Sequence, residues 1–404
     1  MRDLQRRGSP SSSPAPAGTI LVVSPVLPWP ALAGKHIDIA GHVAFFQSEG
    51  WRVVVVVHRE LSSELQERIR TETLPAETHL VARSGRYVPS SDEAVAELQS
   101  LVDDLQPDVV WCGCTDTVLL GAAVDRHRAE LWCRPHNFEL GQHFEKARSG
   151  FRWTAWNRWT ALPTWLPSRT GRRIHAAEQA MFRCAGRMFF ISRRDMDIMS
   201  RLYGTRDGMF WLPPSLHPAR IPVKPTKQTL DVVYVANNYT SPTQLEGARR
   251  LLDDIVPSVE KSAPGRFRFH LVGSGSEKIG EEVATESVVA HGFVDDLEAL
   301  LQEMDMSCIP VDIGWGLKIK MVEALASGLP VLGDPVVFQG LPDVTGAYAP
   351  CTSADDYARA LLALSEPDER RRMADAGAAA YGGWQRESEG QLRSELARAR
   401  KHAS

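Results

Sequence analysis

Residues 314–330 read GWGLKIKMVEALASGLP, an apolar run of small residues that carries Lys318, Lys320 and Glu323 in its middle. Burying unpaired charge is costly, so groups outside the run must answer these side chains. The run follows a strand-like segment at 306–310 (MSCIP) and sets Gly314 and Gly316 directly before a helix expected over about 317–327. A glycine-rich strand-to-helix turn exposes backbone N–H groups and the positive end of the helix dipole, and together these attract phosphate. Lys320, Glu323 and Ser327 fall at i, i+3 and i+7 and share one stripe, which leaves Ile319, Val322 and Ala326 to face a sheet. The charges then look outward, into a cleft. Lys318 falls in the first turn, where a cation opposes the dipole unless an anion compensates. Spacing alone fits equally well two solvated lysines and an ordinary i, i+3 pair between Lys320 and Glu323.

The same alternation of strand and helix extends in both directions. ILVVS at 20–24 and RVVVVV at 52–57 flank a helical stretch at 37–49 and form a βαβ unit, the second run having the composition of a strand buried on both faces. Val95, Leu98, Leu101, Val102 and Leu105 recur at helical spacing before Pro107, and 108–112 (DVVWC), 130–133 (ELWC) and 187–191 (RMFFI) read as further strands. Pro213, Pro214, Pro218, Pro222 and Pro225 then interrupt the pattern. A second series starts at 231–235 (DVVYV) and continues at 267–272, 287–290, 306–310 and 330–333. The expected organisation is a disordered tail over 1–18, an N-terminal Rossmann-like lobe over 19–212, a linker over 213–228, a C-terminal Rossmann-like lobe over 229–380, and a C-terminal helix over 381–404 that returns to the first lobe. The fold class is α/β, two Rossmann-like lobes facing across a cleft.

Composition limits what such a chain can do. With 404 residues, 43% hydrophobic and 24% charged, it has material for two cores. A formal net charge of −4 supplies no basic field, so no nucleic-acid partner is expected. The six cysteines lie at 112, 114, 133, 184, 308 and 351, a spacing that fits neither a zinc site nor a dense disulfide framework, and they read as reduced, mostly core thiols. No apolar run approaches the ~20 residues that span a bilayer, and the opening MRDLQRRGSPSSSPAPAG lacks a signal peptide's apolar core. A cytoplasmic protein is expected.

GWGLKIKMVEALASGLPVLGDPVVFQGLP resembles the C-terminal-lobe signature of the GT-B glycosyltransferases, in particular the retaining, Leloir-type group with a GxGxKxKxxEALAxGxPVV pattern. DVVYVANNYTSPTQLEGARRLLDDIVP, FRFHLVGSGSE and VVAHGFVDDLEALLQEMDMSCIPV resemble the preceding blocks of that lobe in order and spacing, so the likeness covers roughly residues 230–345. In the first lobe, ILVVSPVLPWPALAGKHIDIAGHVAFFQSEGWRV and RPHNFELG are similar to the family's glycine loop and His-Asn-x-Glu segment. The resemblance implies transfer of a sugar from a nucleotide-diphosphate sugar to a glycan, lipid-linked or small-molecule acceptor, with retention and with neither metal nor cofactor. It implies that Lys320 contacts the donor diphosphate with Lys318 beside it, and that Glu323 accepts the ribose hydroxyls. A carboxylate suits a diol and an ammonium a diphosphate. Two positions depart from the pattern. Trp315 stands where many members carry a first glutamate, and Asn237-Asn238 replaces an Arg/Lys pair. A nucleotide-sugar epimerase of the same architecture, or an inactive nucleotide-sugar-binding partner subunit, would share the fold.

The remaining candidates are single residues. Gly273 and Ser274, after a strand, can bring amides close to a phosphate, although a tight turn needs the same glycine. The segment HGFVDD resembles the one whose backbone meets the nucleobase, with Val294 as the contact, and Gly316 and Gly34 would let their loops approach the donor. His136, just past a strand end, is placed at the transferred sugar or acceptor, with Asn137 on the acceptor side, and Glu139 and Glu178 suit either the acceptor side or the plain surface. Finally, 146–173 gathers Trp153, Trp156, Trp159 and Trp165 with seven Lys or Arg and no acid, a composition suited to a membrane interface or a basic lid over a phosphate-bearing acceptor. It fits peripheral membrane contact and equally a packed aromatic insertion, since Pro163 and Pro167 prevent one long amphipathic helix.

Overall fold

The computed structural model describes residues 16–403 apart from 32–33, 60–61, 83–84, 150–167, 226, 283–285, 313 and 343–344. Most of the expected tail and the four tryptophans of 146–173 lie outside the described residues.

β-Branched runs bury best where helices cover both faces of a parallel sheet, and the first lobe is built this way. Its strands are β1 (Thr19–Ser24), β2 (Arg52–Arg59), β3 (Glu77–Ala82), β4 (Val109–Cys112), β5 (Glu130–Cys133), β6 (Arg187–Phe190) and β7 (Met209–Trp211). They form one parallel sheet in the order β3-β2-β1-β4-β5-β6-β7. Alternate residues feed two cores: Val54 and Val56 join one, Val53, Val55 and Val57 the other. Strand β3 escaped the sequence reading because half of ETHLVA is polar and only Val81 is buried.

The second lobe repeats the plan with β8 (Leu230–Asn238), β9 (Phe267–Ser274), β10 (Val288–Gly292), β11 (Met306–Ile309), β12 (Val331–Gly333) and β13 (Ala349–Pro350), in the order β10-β9-β8-β11-β12-β13. Strand order reverses between β1 and β4 in one lobe and between β8 and β11 in the other, and a crevice opens at such switch points.

Two segments join the lobes. The stretch expected as a linker has no helix or strand among its described residues, yet it is pinned: Tyr381 Oη donates to Pro214 O at 2.8 Å and accepts from Leu216 N–H at 2.8 Å. The C-terminal helix is longer than expected and runs from Pro367 to Ala403. Tyr381 and Trp384 sit in the core of the second lobe, while Leu392, Leu396 and Ala399 sit in a core of the first. Arg187 Nε donates to Glu395 at 2.6 Å and closes the far end. The six cysteines are free thiols, all buried except Cys184. No helix among the described residues is long and apolar enough to cross a membrane.

Candidate active site

The GWG turn leaves β11 and meets the helix Ile319–Ser327 at the mouth of the crevice. The helix starts two residues later than its sequence pattern suggests, so Lys318 sits just ahead of the first turn, and no side chain caps the helix. Gly314 and Gly316 have φ of +129° and +72°, which favour glycine. A Cβ on Gly316 would lie 2.0 Å from Asn137 Oδ1 and 2.7 Å from His136 O, so this turn touches the first lobe. Met321, Val322, Ala324 and Leu325 form the buried face. Ile319 and Ala326, expected to face the sheet, lie at the margin of the core instead, and Ile319 meets Gly34 of the first lobe, where a Cβ would lie 3.1 Å from Ile319 Cγ1. Lys320 and Glu323 face the crevice, 24% and 20% exposed, with Nζ and Oε2 2.9 Å apart. The i, i+3 pair and the cleft-facing stripe are therefore the same feature. Ser327, the third member of the stripe, is buried and donates to Ala324 O.

These groups end a cavity of about 280 Å³. Lys320 and Glu323 meet Asn237, Gly273 and Val294 there, over an apolar floor that includes Ile221. Gly273 has two reasons to be glycine: it lines the cavity, and a Cβ on it would lie 1.8 Å from Ala236 O of the neighbouring strand. Sequence reasoning missed Asn237, the linker residue Ile221 and Phe293. The last is a large aromatic left 56% exposed beside Val294. Its loop is held where Gly292 N–H donates to Ser276 Oγ at 2.9 Å. Asn238 is exposed and turns away from the cavity, its Oδ1 accepting from Thr240 N–H at 2.7 Å. Ser274, Gly34, Gly316 and Lys318 do not line this cavity. The Lys318 ammonium lies over Gly314, 2.2 Å from where a Cβ would be.

Across the crevice, the end of β5 presents Arg134 and His136. Arg134 is fully buried and reaches both carboxylate oxygens of Asp38, at 2.7 and 3.0 Å. Burial alone would raise the Asp38 carboxyl, but the Arg134 guanidinium and His136 hold it well below the usual range. His136 Nε2 donates to Asp38 Oδ2 at 2.8 Å, which fixes the ring and leaves a buried Nδ1 without a partner among the described residues. In a neutral ring that nitrogen is an acceptor suited to a hydroxyl. Asn137 Nδ2 donates to Glu139 Oε1 at 3.3 Å, and Glu139 also takes a hydrogen bond from Tyr87. Nearby, Lys35 donates to Cys114 Sγ at 3.2 Å. Burial and the Asp116 carboxylate push that thiol up to about 12. Glu178 lies deeper, taking a 2.7 Å bond from Tyr203. Trp315 does not enter the cavity; its ring packs on the first lobe. Among the described residues no three His, Cys, Asp or Glu side chains gather as a metal site.

Residues 229–366 match the family model described as Glycosyl transferases group 1. No curated protein matches the chain by sequence. Similar solved structures cover nearly all of it. Anabaena HepE in complex with UDP and glucose aligns over 94% of this chain and 99% of its own, with a TM-score of 0.62 at 15% identity. Sucrose-phosphate synthase from Thermosynechococcus elongatus aligns over 96% and 100%, with 0.67 at 14% identity. WaaG, a glycosyltransferase involved in lipopolysaccharide biosynthesis, aligns over 92% and 99%, with 0.59 at 13% identity. The likeness shows the GT-B fold.

Proposed function

We infer that this chain, a glycosyltransferase whose C-terminal lobe is a Glycosyl transferases group 1 domain on a GT-B frame, moves a sugar from a nucleotide-diphosphate donor to an acceptor with retention at the transferred carbon. The observation that carries the reading is the meeting of Lys320, Glu323, Gly273 and Val294 at one switch-point cavity, beside an uncapped helix N-terminus. In this reading the base lies against Val294 and Phe293, Glu323 accepts the ribose hydroxyls, and the diphosphate meets Lys318, Lys320 and the first helix amides. The HepE complex, with its bound UDP, favours a uridine donor.

Charge grows on the diphosphate as the glycosidic bond breaks, so fixed cations and amides aimed there lower the barrier without a metal or bound cofactor. His136, through its open Nδ1, orients a hydroxyl of the transferred sugar or acceptor. The acceptor lies in the first lobe near Asn137 and Glu139; glycan, lipid-linked and small-molecule acceptors all suit this polar set. The protein works in the cytoplasm, and the basic segment 146–173 docks it on a membrane surface.

The test is calorimetry with UDP and GDP followed by slow donor hydrolysis without acceptor. Binding of a nucleoside diphosphate with turnover of the matching sugar donor is expected. Binding without turnover would favour the inactive partner subunit, and inversion at the 2-carbon or 4-carbon of the sugar the epimerase.

A further inference from the structure

The middle residue of the phosphate-facing turn points the wrong way for a donor contact. Trp315 belongs to the second lobe, yet its ring stands edge-on to Phe138 of the first, with centroids 5.2 Å apart and planes at 78°. The Arg194 guanidinium, also of the first lobe, lies 4.3 Å above the same ring. Gly141 makes room, since a Cβ there would come within 2.9 Å of Trp315 Cε2. The indole N–H has no partner among the described residues, so the ring is held by its face and edge.

One residue away, the same turn is tied by a carboxylate. Asp195 is 3% exposed, and its Oδ2 accepts from Gly316 N–H at 3.1 Å and from Phe138 N–H at 2.9 Å. One oxygen thus joins a backbone amide of each lobe. Burial raises the Asp195 carboxyl, and these amide bonds work against that effect. Separation of the lobes would strip Asp195 of the Gly316 bond and expose the Trp315 ring, so lobe position and turn geometry are coupled.

We propose that Trp315, Arg194 and Asp195 form an inter-lobe latch that holds the turn Gly314 to Lys318 in its working geometry. They are positioning residues, acting through Lys318, Lys320 and the helix amides. The ligand of the turn rests on the donor reading above; the latch contacts do not.

The experiment is amide hydrogen exchange on the full chain without ligand, paired with UDP calorimetry and hydrolysis of UDP-glucose, comparing the parent with Arg194→Met, Trp315→Ala, Trp315→Phe and Asp195→Ala. Exchange at Gly316 and Phe138 should rise at least about tenfold in Trp315→Ala and Asp195→Ala, and less in Arg194→Met. Trp315→Phe, which keeps a ring, should stay near the parent. The hydrolysis kcat should fall about tenfold or more in Trp315→Ala, with the UDP Kd within about threefold, because Glu323 and the cavity floor are untouched. Unchanged exchange at both amides, or raised exchange with an unchanged kcat, overturns the latch. Should Trp315→Ala fail to fold, Arg194→Met alone decides, as it removes the cation and leaves the ring in place. A parent that binds no UDP refutes a uridine donor and leaves the exchange result to judge the latch.

Discussion

At the scale of single residues, the decisive side chains are Lys320 and Glu323, which form an ion pair across 2.9 Å at the crevice. Glu323→Ala should weaken nucleoside diphosphate binding by roughly 1–3 kcal/mol, the worth of charged hydrogen bonds to a diol, with the fold intact. Calorimetry reads this directly, and equal affinity would remove Glu323 from the site. Lys320→Ala should act differently. If the ammonium meets charge that grows in the transition state, kcat falls by more than the donor Kd rises. The opposite split, with affinity lost and kcat kept, would make Lys320 a ground-state anchor. The place of these two side chains at the crevice was legible in the sequence, because a charged stripe on an otherwise apolar helix needs a reason. Asn237 was not, since its neighbour Asn238 is equally plausible until the strand end fixes which side chain turns inward, and Phe293 was not, since it joins Val294 at the cavity without any pattern that marks it.

At the scale of elements, the helix Arg169–Cys184 carries Glu178 fully buried against Tyr203 and Leu140 N–H. Burial pushes its carboxyl up to about 7, against the pull of the Tyr203 hydroxyl. A carboxyl raised in the folded state binds its proton more tightly there than in the unfolded chain. Its stabilising contribution is full below the ordinary value of 4.5 and is lost as pH rises toward 7. Glu178→Gln should therefore stabilise the protein at pH 8 by roughly 1–3 kcal/mol and flatten the rise of stability on acidification between those values. Melting curves at pH 5 and pH 8 check it; a variant less stable at both would show that the ionised form is needed. The same scale explains the late start of the helix Ile319–Ser327. The pattern runs smoothly back to Leu317, but the glycine turn must reach Asn137 and His136 before helical geometry can begin.

At the scale of the whole molecule, the helix Pro367–Ala403 threads both cores, and the pinned stretch around Pro214 and Leu216 lies against it. The lobes thus share one long strut. The proposed membrane contact belongs to this scale too. Arg169, Arg172 and Arg173 are exposed at the start of their helix, with no acid in its first turn. The protein should co-sediment with vesicles rich in phosphatidylserine far better than with phosphatidylcholine vesicles, and added salt should weaken the attachment. Replacing the three arginines with glutamate should abolish it and leave nucleotide binding unchanged, since none of the three lines the cavity that holds Lys320 and Glu323. No sedimentation of the parent with either vesicle would leave a soluble acceptor.

Sequence alone determined the two α/β series, the break between them and the GxGxKxKxxE run, because each rests on local chemistry: β-branched runs, prolines that end periodicity, and glycines ahead of a charged helix. It could not determine what those local features meet. That Trp315 turns out of the crevice, that Asp195 joins Gly316 to Phe138, and that His136 is steered by Asp38 were decided only by tertiary structure. The hydrogen-bonded partners lie 57, 98 and 121 residues apart along the chain, and no periodicity in a chain records contacts made when two sheets close on one cleft.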